Sequence, residues 1–324
     1  MAEARAFVME GLIKYHGLKD WGLRIPYHDS ISVNLEGIGS RARVELRPSE
    51  GACEVLFEGS PASPRTKERV LGVLRRVWQE AGNRASCLVS FQNFPSGISA
   101  KGLGFSSSMG AALAAALFEA YGLRARWGWD LRRISALARL FSGSACRSVV
   151  GGFARWRAGQ DHESSYAIRL GGRELLDLRV VVVPLYLEFS TEQAHREAEA
   201  SPFFRARVES AQRRVEELEA ALRAGDFERV GLLAELDALE LHAVTMTGPG
   251  GHVLLLPSSV AVMREVRAMR EEGIPAYFSL QTGPTVFINT LPRYVQAVEA
   301  RIRALGLATL TCGVGGEVSL MNDQ

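Results

Sequence analysis

Cysteine is scarce in this sequence, and it has no long apolar run. The 324 residues include 4 cysteines (Cys53, Cys87, Cys146 and Cys312) and no C-x-x-C pair, so a zinc site or a redox motif is not indicated. The most apolar runs, which begin at Ala111 and Val180, are far shorter than the ~20 residues that span a bilayer. The amino terminus lacks the apolar core and cleavage site of a signal peptide. We therefore expect reduced thiols, no membrane partner and a cytoplasmic protein.

Neither sign of charge is in excess. Lys and Arg number 38, Asp and Glu 36, and the formal net charge of +2 predicts no broad surface for nucleic acid. A hydrophobic share of 47% with 23% charged residues is typical of globular proteins and excludes a mainly disordered chain. The length suits about two domains of roughly 150 residues each. We therefore expect no nucleic-acid partner.

Strand patterns dominate the first third of the chain. Segments with period-2 or β-branched character begin at Arg41, Cys53 and Ser86, and a helical pattern runs from Thr66 to Gly82 between them. A helix of small residues is predicted after Ser108.

Helices and strands alternate in the last third. Residues 191–241 are charge-rich and helical, and we expect those charges to lie on solvated faces as i,i+4 pairs. Then follow a strand HVLLLP, a helix from Ser259, strands AYFSL and VFINT, a helix from Pro292 and a strand LATLTC. This order predicts an α+β sandwich, with a boundary near residues 178–184 and domains of residues 1–180 and 181–324.

A glycine- and serine-rich segment precedes the small-residue helix. Glycines at 97, 102 and 104 allow close approach of the backbone to a ligand, and three serines (Ser106, Ser107 and Ser108) supply hydroxyls where the helix begins. Free N–H groups and the positive end of the dipole make a helix N-terminus suitable for phosphate. Taken alone, an ordinary loop with a serine N-cap explains the segment better, since it matches no standard nucleotide fingerprint.

Two further segments place polar groups where apolar ones are expected. SGSACRSVVGGF surrounds Arg147 with small residues, which suits either a bidentate carboxylate or phosphate contact or a structural arginine that caps carbonyls. IKYHG and IPYHDSISV flank predicted strands with six polar side chains that are hard to dismiss as structural: Lys14, Tyr15, His16, His28, Asp29 and Ser30.

Read in order, these segments resemble the GHMP kinase superfamily and, within it, the mevalonate diphosphate decarboxylase group. SGSACRS is similar to that group's substrate-carboxylate motif, IKYHG to its I-K-Y-W-G, and the glycine-serine loop to the superfamily's phosphate motif. The resemblance covers residues 11–316. It implies a GHMP kinase fold, with an N-terminal α/β domain like ribosomal protein S5 and a C-terminal ferredoxin-like α+β domain. It also implies a homodimer.

The resemblance implies roles for individual residues. ATP with Mg²⁺ would bind the loop, with Ser107 as the metal ligand; the loop residues are Gly102, Leu103, Gly104, Ser106, Ser107 and Ser108. The carboxylate of mevalonate 5-phosphate would pair with Arg147, and Lys14 would lie near the transferred phosphoryl group. The remaining substrate contacts would be Tyr15, His16, Asp29, Ser30 and Ser144.

Two departures from the diphosphate enzymes bear on substrate and mechanism. The lysine that follows their I-K-Y-W-G is replaced by Leu18, and KYHG with PYHDSISV resembles members that act on mevalonate 5-phosphate. The catalytic aspartate that precedes their Gly-Pro or Gly-Ala turn is replaced by Gln281, which cannot accept a proton. Three explanations stay open: a substitution that traps substrate, phosphorylation by positioning alone, or another carboxylate such as Asp29.

The expected function is ATP-dependent decarboxylation of mevalonate 5-phosphate to isopentenyl phosphate through phosphorylation at C3. Three alternatives remain at this point: a kinase that stops after phosphorylating C3, which Gln281 favours; a diphosphomevalonate decarboxylase; and a ligand-binding member without turnover.

Overall fold

Two β-sheets organise the protein in the computed structural model, which describes residues 1–51, 53–96 and 103–321. The first sheet consists of β1 (Ala2–Ile13), β2 (Ser30–Glu50), β3 (Cys53–Phe57), β4 (Ser60–Pro61), β5 (Ala85–Phe94), β6 (Phe153–Arg157), β7 (Tyr166–Gly171) and β12 (Ser319–Leu320). The second consists of β8 (Arg179–Val183), β9 (Ala276–Leu280), β10 (Val286–Thr290) and β11 (Leu310–Cys312).

Strand order shows how the chain crosses between these sheets. The first sheet has the order β12-β1-β2-β5-β3-β4, with β6 pairing to the beginning of β2 and β7 to β6, and the second has the order β11-β8-β10-β9. Only the β3–β5 pair is parallel among these ladders. The last strand, β12, returns to the first sheet and pairs with β1.

Helices cover both sheets. They are α1 (Pro64–Ala81), α2 (Phe105–Ala120), α3 (Leu123–Trp127), α4 (Leu131–Phe141), α5 (Ala145–Val150), α6 (Thr191–Ala198), α7 (Phe204–Ala224), α8 (Phe227–Met246), α9 (Pro257–Glu271) and α10 (Val295–Ala304). The helices predicted after Ser108 and Ser259 and the strands AYFSL and VFINT are confirmed. No helix within the described ranges has both the length and the apolarity to cross a bilayer.

The buried apolar side chains form three clusters. One cluster fills the space between the first sheet and helices α1, α2, α4 and α5, and a second lies between the two sheets and helices α7 and α8. The third lies under α9 and α10. Strand β8 joins the last two, because Val180 and Val182 face one cluster while Val181 and Val183 face the other.

Helix α2 is buried on every side. Its segment from Ala111 to Phe118 is 0% exposed, which is the behaviour expected of a helix without a polar face. At Gly110 an added Cβ would lie 2.7 Å from the Cβ of Ala145, so glycine permits close packing against α5. The start of α2 is thereby held next to the segment that carries Arg147.

Two predictions about the second half of the chain are wrong. HVLLLP is not a strand: residues 251–256 have no regular structure, because Pro257 begins α9 and the Leu256 N–H donates to Ser259 Oγ. The charges of α7 and α8 are not all solvated, since Arg207, Arg214, Glu235 and Asp237 are buried. They are paired with each other or with neighbouring groups, as burial of charge requires.

Candidate active site

A cavity of about 360 Å³ lies where the starts of α2, α5 and α6 face β1 and the turn after β9. Several motif residues line it: Lys14, Tyr15, Gly104, Ser106, Ser144, Arg147 and Gln281. These motif residues come from four separate stretches of sequence, which the tertiary structure brings to one chamber.

Arg147 is a buried cation that has no anionic partner among the described residues. Its side chain is 1% exposed, and Nη1 donates to Ser30 Oγ at 2.9 Å. Its Nε is buried without a hydrogen-bond partner, and among the described residues no carboxylate lies within ion-pair distance of the guanidinium. Burial lowers the pKa of Arg147, although an arginine remains charged at neutral pH. Because a buried charge without a counter-ion is unfavourable, a guanidinium in this position at a cavity favours binding of an anionic ligand.

Two aromatic rings and one serine, Ser30, hold this arginine. The guanidinium carbon lies 5.7 Å from the ring centre of Tyr15 and 5.9 Å from that of Trp156, and these rings contact each other edge to face. Ser144 is the N-cap of α5 and lines the cavity, whereas Ser30 lies behind the arginine and orients it. Ser30 therefore does not line the cavity and acts on it only by orienting Arg147.

Lys14 is held at the cavity wall by a buried carboxylate that lies far away in sequence. Asp237 on α8 accepts from the Lys14 backbone N–H at 2.9 Å and lies 3.4 Å from Nζ, and it also pairs with Arg207 at 2.7 Å. Burial lowers the pKa of Lys14 to about 8, with Asp237 and Glu10 opposing that shift. Asp237 and Arg207 thus position Lys14, which lines the cavity.

The start of α2 presents only part of the serine cluster to the cavity. Gly104 is the N-cap, with a left-handed φ of 76°, and both Gly104 and Ser106 line the chamber. Ser107 and Ser108 are 0% exposed: the first donates to the Gly104 carbonyl and the second bonds to Ser40. Leu103 is a core residue. Gly97 and Gly102, which the sequence predicts to approach a ligand, lie outside the described residues.

Two of the proposed substrate contacts point elsewhere. His16 is buried against His195 and Thr245 and does not line the cavity. Asp29 accepts from Arg155 Nε and from the Ala158 N–H, both at 2.8 Å, and it also does not line the cavity. Both carboxylate oxygens of Asp29 are therefore already engaged in structural bonds. Their roles at the substrate stay predictions.

Gln281 lies at the cavity beside Lys14. Its backbone carbonyl bonds to His242 Nε2 at 3.1 Å, and its side-chain Nε2 is buried without a partner. A Cβ added at Gly11 would lie 2.8 Å from Lys14 Cγ and 3.2 Å from Gln281 Oε1, so both side chains pack over that glycine. The amide is therefore available to a ligand, but it can supply only hydrogen bonds.

Sequence reasoning missed several groups at this site. Asp237 could have been found, because Val230, Ala234, Asp237 and Leu241 follow a helical period and place the carboxylate on the apolar face of α8. Glu188 and His195 line the cavity from a stretch without a motif. Three arginines of an adjoining chamber, Arg24, Arg65 and Arg69, also gave no local signal.

Magnesium fits this donor set only if it arrives with phosphate. Within the described part of the chain, no group of three or more His, Cys, Asp or Glu side chains is placed to hold a metal ion. Mg²⁺ in phosphate chemistry keeps waters and takes one or two protein oxygens beside the phosphates. Glu188 and Ser106 supply a carboxylate and a hydroxyl at the cavity, which suits such an ion.

Comparison with known proteins identifies the class and then the family. Among solved structures, mevalonate diphosphate decarboxylase from Staphylococcus aureus matches 99% of this chain and 97% of that chain, with a TM-score of 0.90 and 28% identity. A structure described as MDDEF in complex with MVAPP, AMPPCP and magnesium matches with a TM-score of 0.89, 26% identity and coverage of 99% and 98%. The protein therefore has the GHMP kinase fold.

The family follows from sequence. Residues 6–167 match the diphosphomevalonate decarboxylase-like N-terminal domain, and residues 188–308 match the mevalonate 5-diphosphate decarboxylase C-terminal domain. A phosphomevalonate decarboxylase from Haloferax volcanii is 39% identical over 100% of this chain and 98% of its own length. The chain belongs to the diphosphomevalonate decarboxylase family.

Proposed function

We propose that the protein is a carboxy-lyase that converts mevalonate 5-phosphate and ATP into isopentenyl phosphate, CO₂, ADP and phosphate, in a mevalonate pathway of isoprenoid biosynthesis. The full-length similarity to a phosphomevalonate decarboxylase supports this reaction. The observation that carries it is Arg147, a buried guanidinium at the cavity with no carboxylate of the described chain to balance it. The substrate's carboxylate would supply the missing charge.

Arg147 would bind the carboxylate, and Ser144 and Tyr15 would orient the rest of the molecule. These three line one side of the cavity. Catalysis of phosphoryl transfer depends mainly on positioning and on offsetting charge, so fixing the C3 hydroxyl in line with the nucleotide is the first requirement.

The start of α2 would bind the nucleotide's phosphates. Gly104 and Ser106 lie at the positive end of that helix and face the cavity. Ser106 and Glu188 would hold a Mg²⁺ ion, which would neutralise phosphate charge. Ser107, which the sequence analysis assigned to the metal, would first have to release its bond to the Gly104 carbonyl.

Lys14 would offset the charge of the transferred phosphoryl group. The C3 oxygen forms a bond to the γ-phosphorus and its hydroxyl proton passes to water, while ADP takes the electron pair of the bond that breaks. The C3–O bond then breaks with its electrons on the departing phosphate. The bond between C2 and the carboxyl carbon supplies the pair for the C2=C3 double bond, and CO₂ leaves. Arg147 holds the carboxylate until that step.

Gln281 favours a second candidate function, a kinase that phosphorylates the C3 hydroxyl without decarboxylation. Its amide can hydrogen-bond the C3 hydroxyl but can neither take its proton nor oppose positive charge at C3 as a carboxylate would. Diphosphomevalonate decarboxylase is the other alternative. We further propose a cytoplasmic homodimer with domains of residues 1–180 and 181–324.

Product analysis tests this function. Purified protein is incubated with ATP, Mg²⁺ and either mevalonate, its 5-phosphate or its 5-diphosphate, and ADP, CO₂ and alkene are measured separately. We expect equal amounts of ADP, CO₂ and isopentenyl phosphate, with the 5-phosphate preferred. ADP without CO₂ would establish the kinase instead, and preference for the diphosphate would establish the other decarboxylase.

A further inference from the structure

Two of the four thiols lie in contact across neighbouring strands. Cys53 begins β3, Cys87 lies near the start of β5, and the parallel ladder between these strands puts the two residues directly opposite each other. Their Sγ atoms are 3.3 Å apart, and both thiols are free. Because 34 positions of the chain separate the two cysteines, no local motif in the sequence indicates the pair.

The geometry of the pair meets the requirements of a disulfide. Neighbouring strands lie about 4.8 Å apart, within the range of about 4.4–6.8 Å over which a disulfide joins two Cα atoms. Residues directly opposite each other in a ladder also place their side chains on the same face of the sheet. The sulfurs therefore have to close from 3.3 Å to a bond length of about 2.05 Å, which small side-chain rotations supply.

The two thiols differ in how a reagent from solution reaches them. Cys53 is partly exposed, and among the described strands none covers the outer side of β3 at this end, since β4 pairs only with Leu56 and Phe57. Cys87 is 1% exposed and belongs to the core cluster between the first sheet and its helices. A small oxidant therefore reaches the pair at Cys53, with Cys87 protected behind it.

A hydrogen bond between the two sulfurs favours ionisation of the pair. The bond from Cys53 lowers the pKa of the Cys87 thiol, although burial acts in the opposite direction. Either sulfur can be the donor, so the thiolate can also form on the accessible Cys53 while Cys87 keeps the remaining proton. The thiolate is the form of cysteine that reacts with oxidants.

The other two cysteines provide an internal comparison. Cys146 Sγ donates to the Gly143 carbonyl in the segment that carries Arg147, and Cys312 lies in β11. Both are buried, and burial raises the pKa of each thiol to about 12. Neither should react under conditions that oxidise an accessible thiolate.

We propose that Cys53 and Cys87 are a modification site at which a peroxide forms a reversible disulfide, and that this bond fastens the start of β3 to the first sheet. Neither cysteine lines the reaction cavity or its adjoining chamber, so the site is separate from the proposed reaction. An edge strand held by one neighbour gains most from such a link, because its other side has no ladder to keep it in place.

The chemistry balances with hydrogen peroxide as the oxidant. The Cys53 thiolate attacks one peroxide oxygen, an S–O bond forms, the O–O bond breaks, and the departing hydroxide takes up the proton that the pair released. The Cys87 sulfur then attacks the Cys53 sulfenic acid, an S–S bond forms, the S–O bond breaks, and hydroxide leaves with the Cys87 proton as water. Two thiols and one peroxide thus give one disulfide and two water molecules, and a dithiol reductant reverses the change by exchange.

Peptide mapping of the full chain tests the site. The protein is treated with hydrogen peroxide, its remaining thiols are alkylated under denaturing conditions, and trypsin then separates the two cysteines by cleavage at Arg65 and Arg84. We expect the loss of two of the four thiols, one linked pair of peptides that carry Cys53 and Cys87, and full recovery with dithiothreitol. Oxidation of Cys53 alone to a sulfinic acid, or a disulfide between two copies of the chain, would overturn the proposal.

Two variants and a melting experiment complete the test. Cys53→Ser should abolish the linked peptides, whereas Cys312→Ala, the matched control, should still lose two thiols to the link. The bond closes a loop of about 34 residues that includes α1, so we expect the unfolding temperature of the oxidised wild type to rise by about 3 to 10 °C. An equal or lower unfolding temperature would overturn the fastening role. If Cys53→Ser does not fold, the oxidised and reduced wild-type proteins still give both comparisons.

Discussion

Two adjoining chambers, which share lining residues, carry positive charge in different ways. In one, Arg147 is a single guanidinium, 1% exposed, fixed by Ser30 and two aromatic rings on a short helix. In the other, three half-buried or exposed arginines come from a loop and from α1. The first arrangement fixes one anion in one orientation, as bond breaking requires. The second places its charge on more exposed side chains that come from two separate segments.

Removal of Arg147 should have the largest effect. Arg147→Gln is expected to lower kcat/KM by about 30- to 4,000-fold, because losing a bidentate contact to a charged group in a desolvated site costs about 2–5 kcal/mol. The unfolding temperature should stay the same or rise, since an unbalanced buried charge no longer has to be desolvated. Steady-state kinetics and calorimetric melting measure both. A near-normal kcat/KM would remove Arg147 from substrate binding.

Gln281→Asp tests whether a carboxylate at this position increases decarboxylation. We expect alkene formation to rise at least about tenfold, within the range for a positioned acid or base, because a carboxylate can take the hydroxyl proton and oppose positive charge at C3. The KM for ATP should not change. An unaltered rate in an enzyme that already decarboxylates would show that the wild-type protein uses another base.

The lowered pKa of Lys14 predicts that the activity depends on pH. Burial lowers its pKa to about 8, and Asp237, Glu10 and Arg207 are the charged groups that act on it. Only the protonated form offsets phosphoryl charge, so kcat/KM should decline as pH rises through about 8, approaching tenfold per pH unit. Lys14→Arg should move the decline to higher pH. A profile that is flat up to pH 9.5 would contradict a role for the ammonium.

A smaller effect is expected on stability in acid. Burial lowers the pKa of His28, His195 and His242 to about 4 from the ordinary 6.5, and it also lowers the pKa of His16 well below 6.5. The unfolded chain therefore binds more protons than the folded one between about pH 6.5 and 4, so stability falls as pH falls through this range. Melting temperatures at pH 7 and 5 measure the fall, and His28→Gln should make it shallower. Equal values at both pH values would contradict neutral buried histidines.

The sequence predicted the parts of the site whose functional residues lie close together in one short motif. SGSACRS places Arg147 and Ser144 on one tight helix, and IKYHG places Lys14 and Tyr15 at the end of β1, so local geometry already fixes each pair. The same reasoning failed for HVLLLP, where an apolar run looked like a strand but had no partner strand to join.

Sequence reasoning also failed where neighbours are distant along the chain. Asp237 lies 223 positions from Lys14, and its charge suggested a solvated helix face until α8 was seen packed against β1. Serines 106 to 108 looked equivalent, yet α2 turns Ser107 and Ser108 into the protein and leaves Ser106 at the cavity. Which side of a helix faces a ligand is decided by what packs on its other sides.

The order of residues alone determined the family, the α+β class and the motifs that carry an arginine and a lysine to the reaction, because those depend on short-range spacing. Only the tertiary structure decided that Arg147 has no acidic partner among the described residues, that Asp29 is occupied by Arg155, and that Arg24 and Arg69 converge on one chamber. The physical reason is that charge balance and burial are properties of neighbours in space, and packing of the layers sets those neighbours.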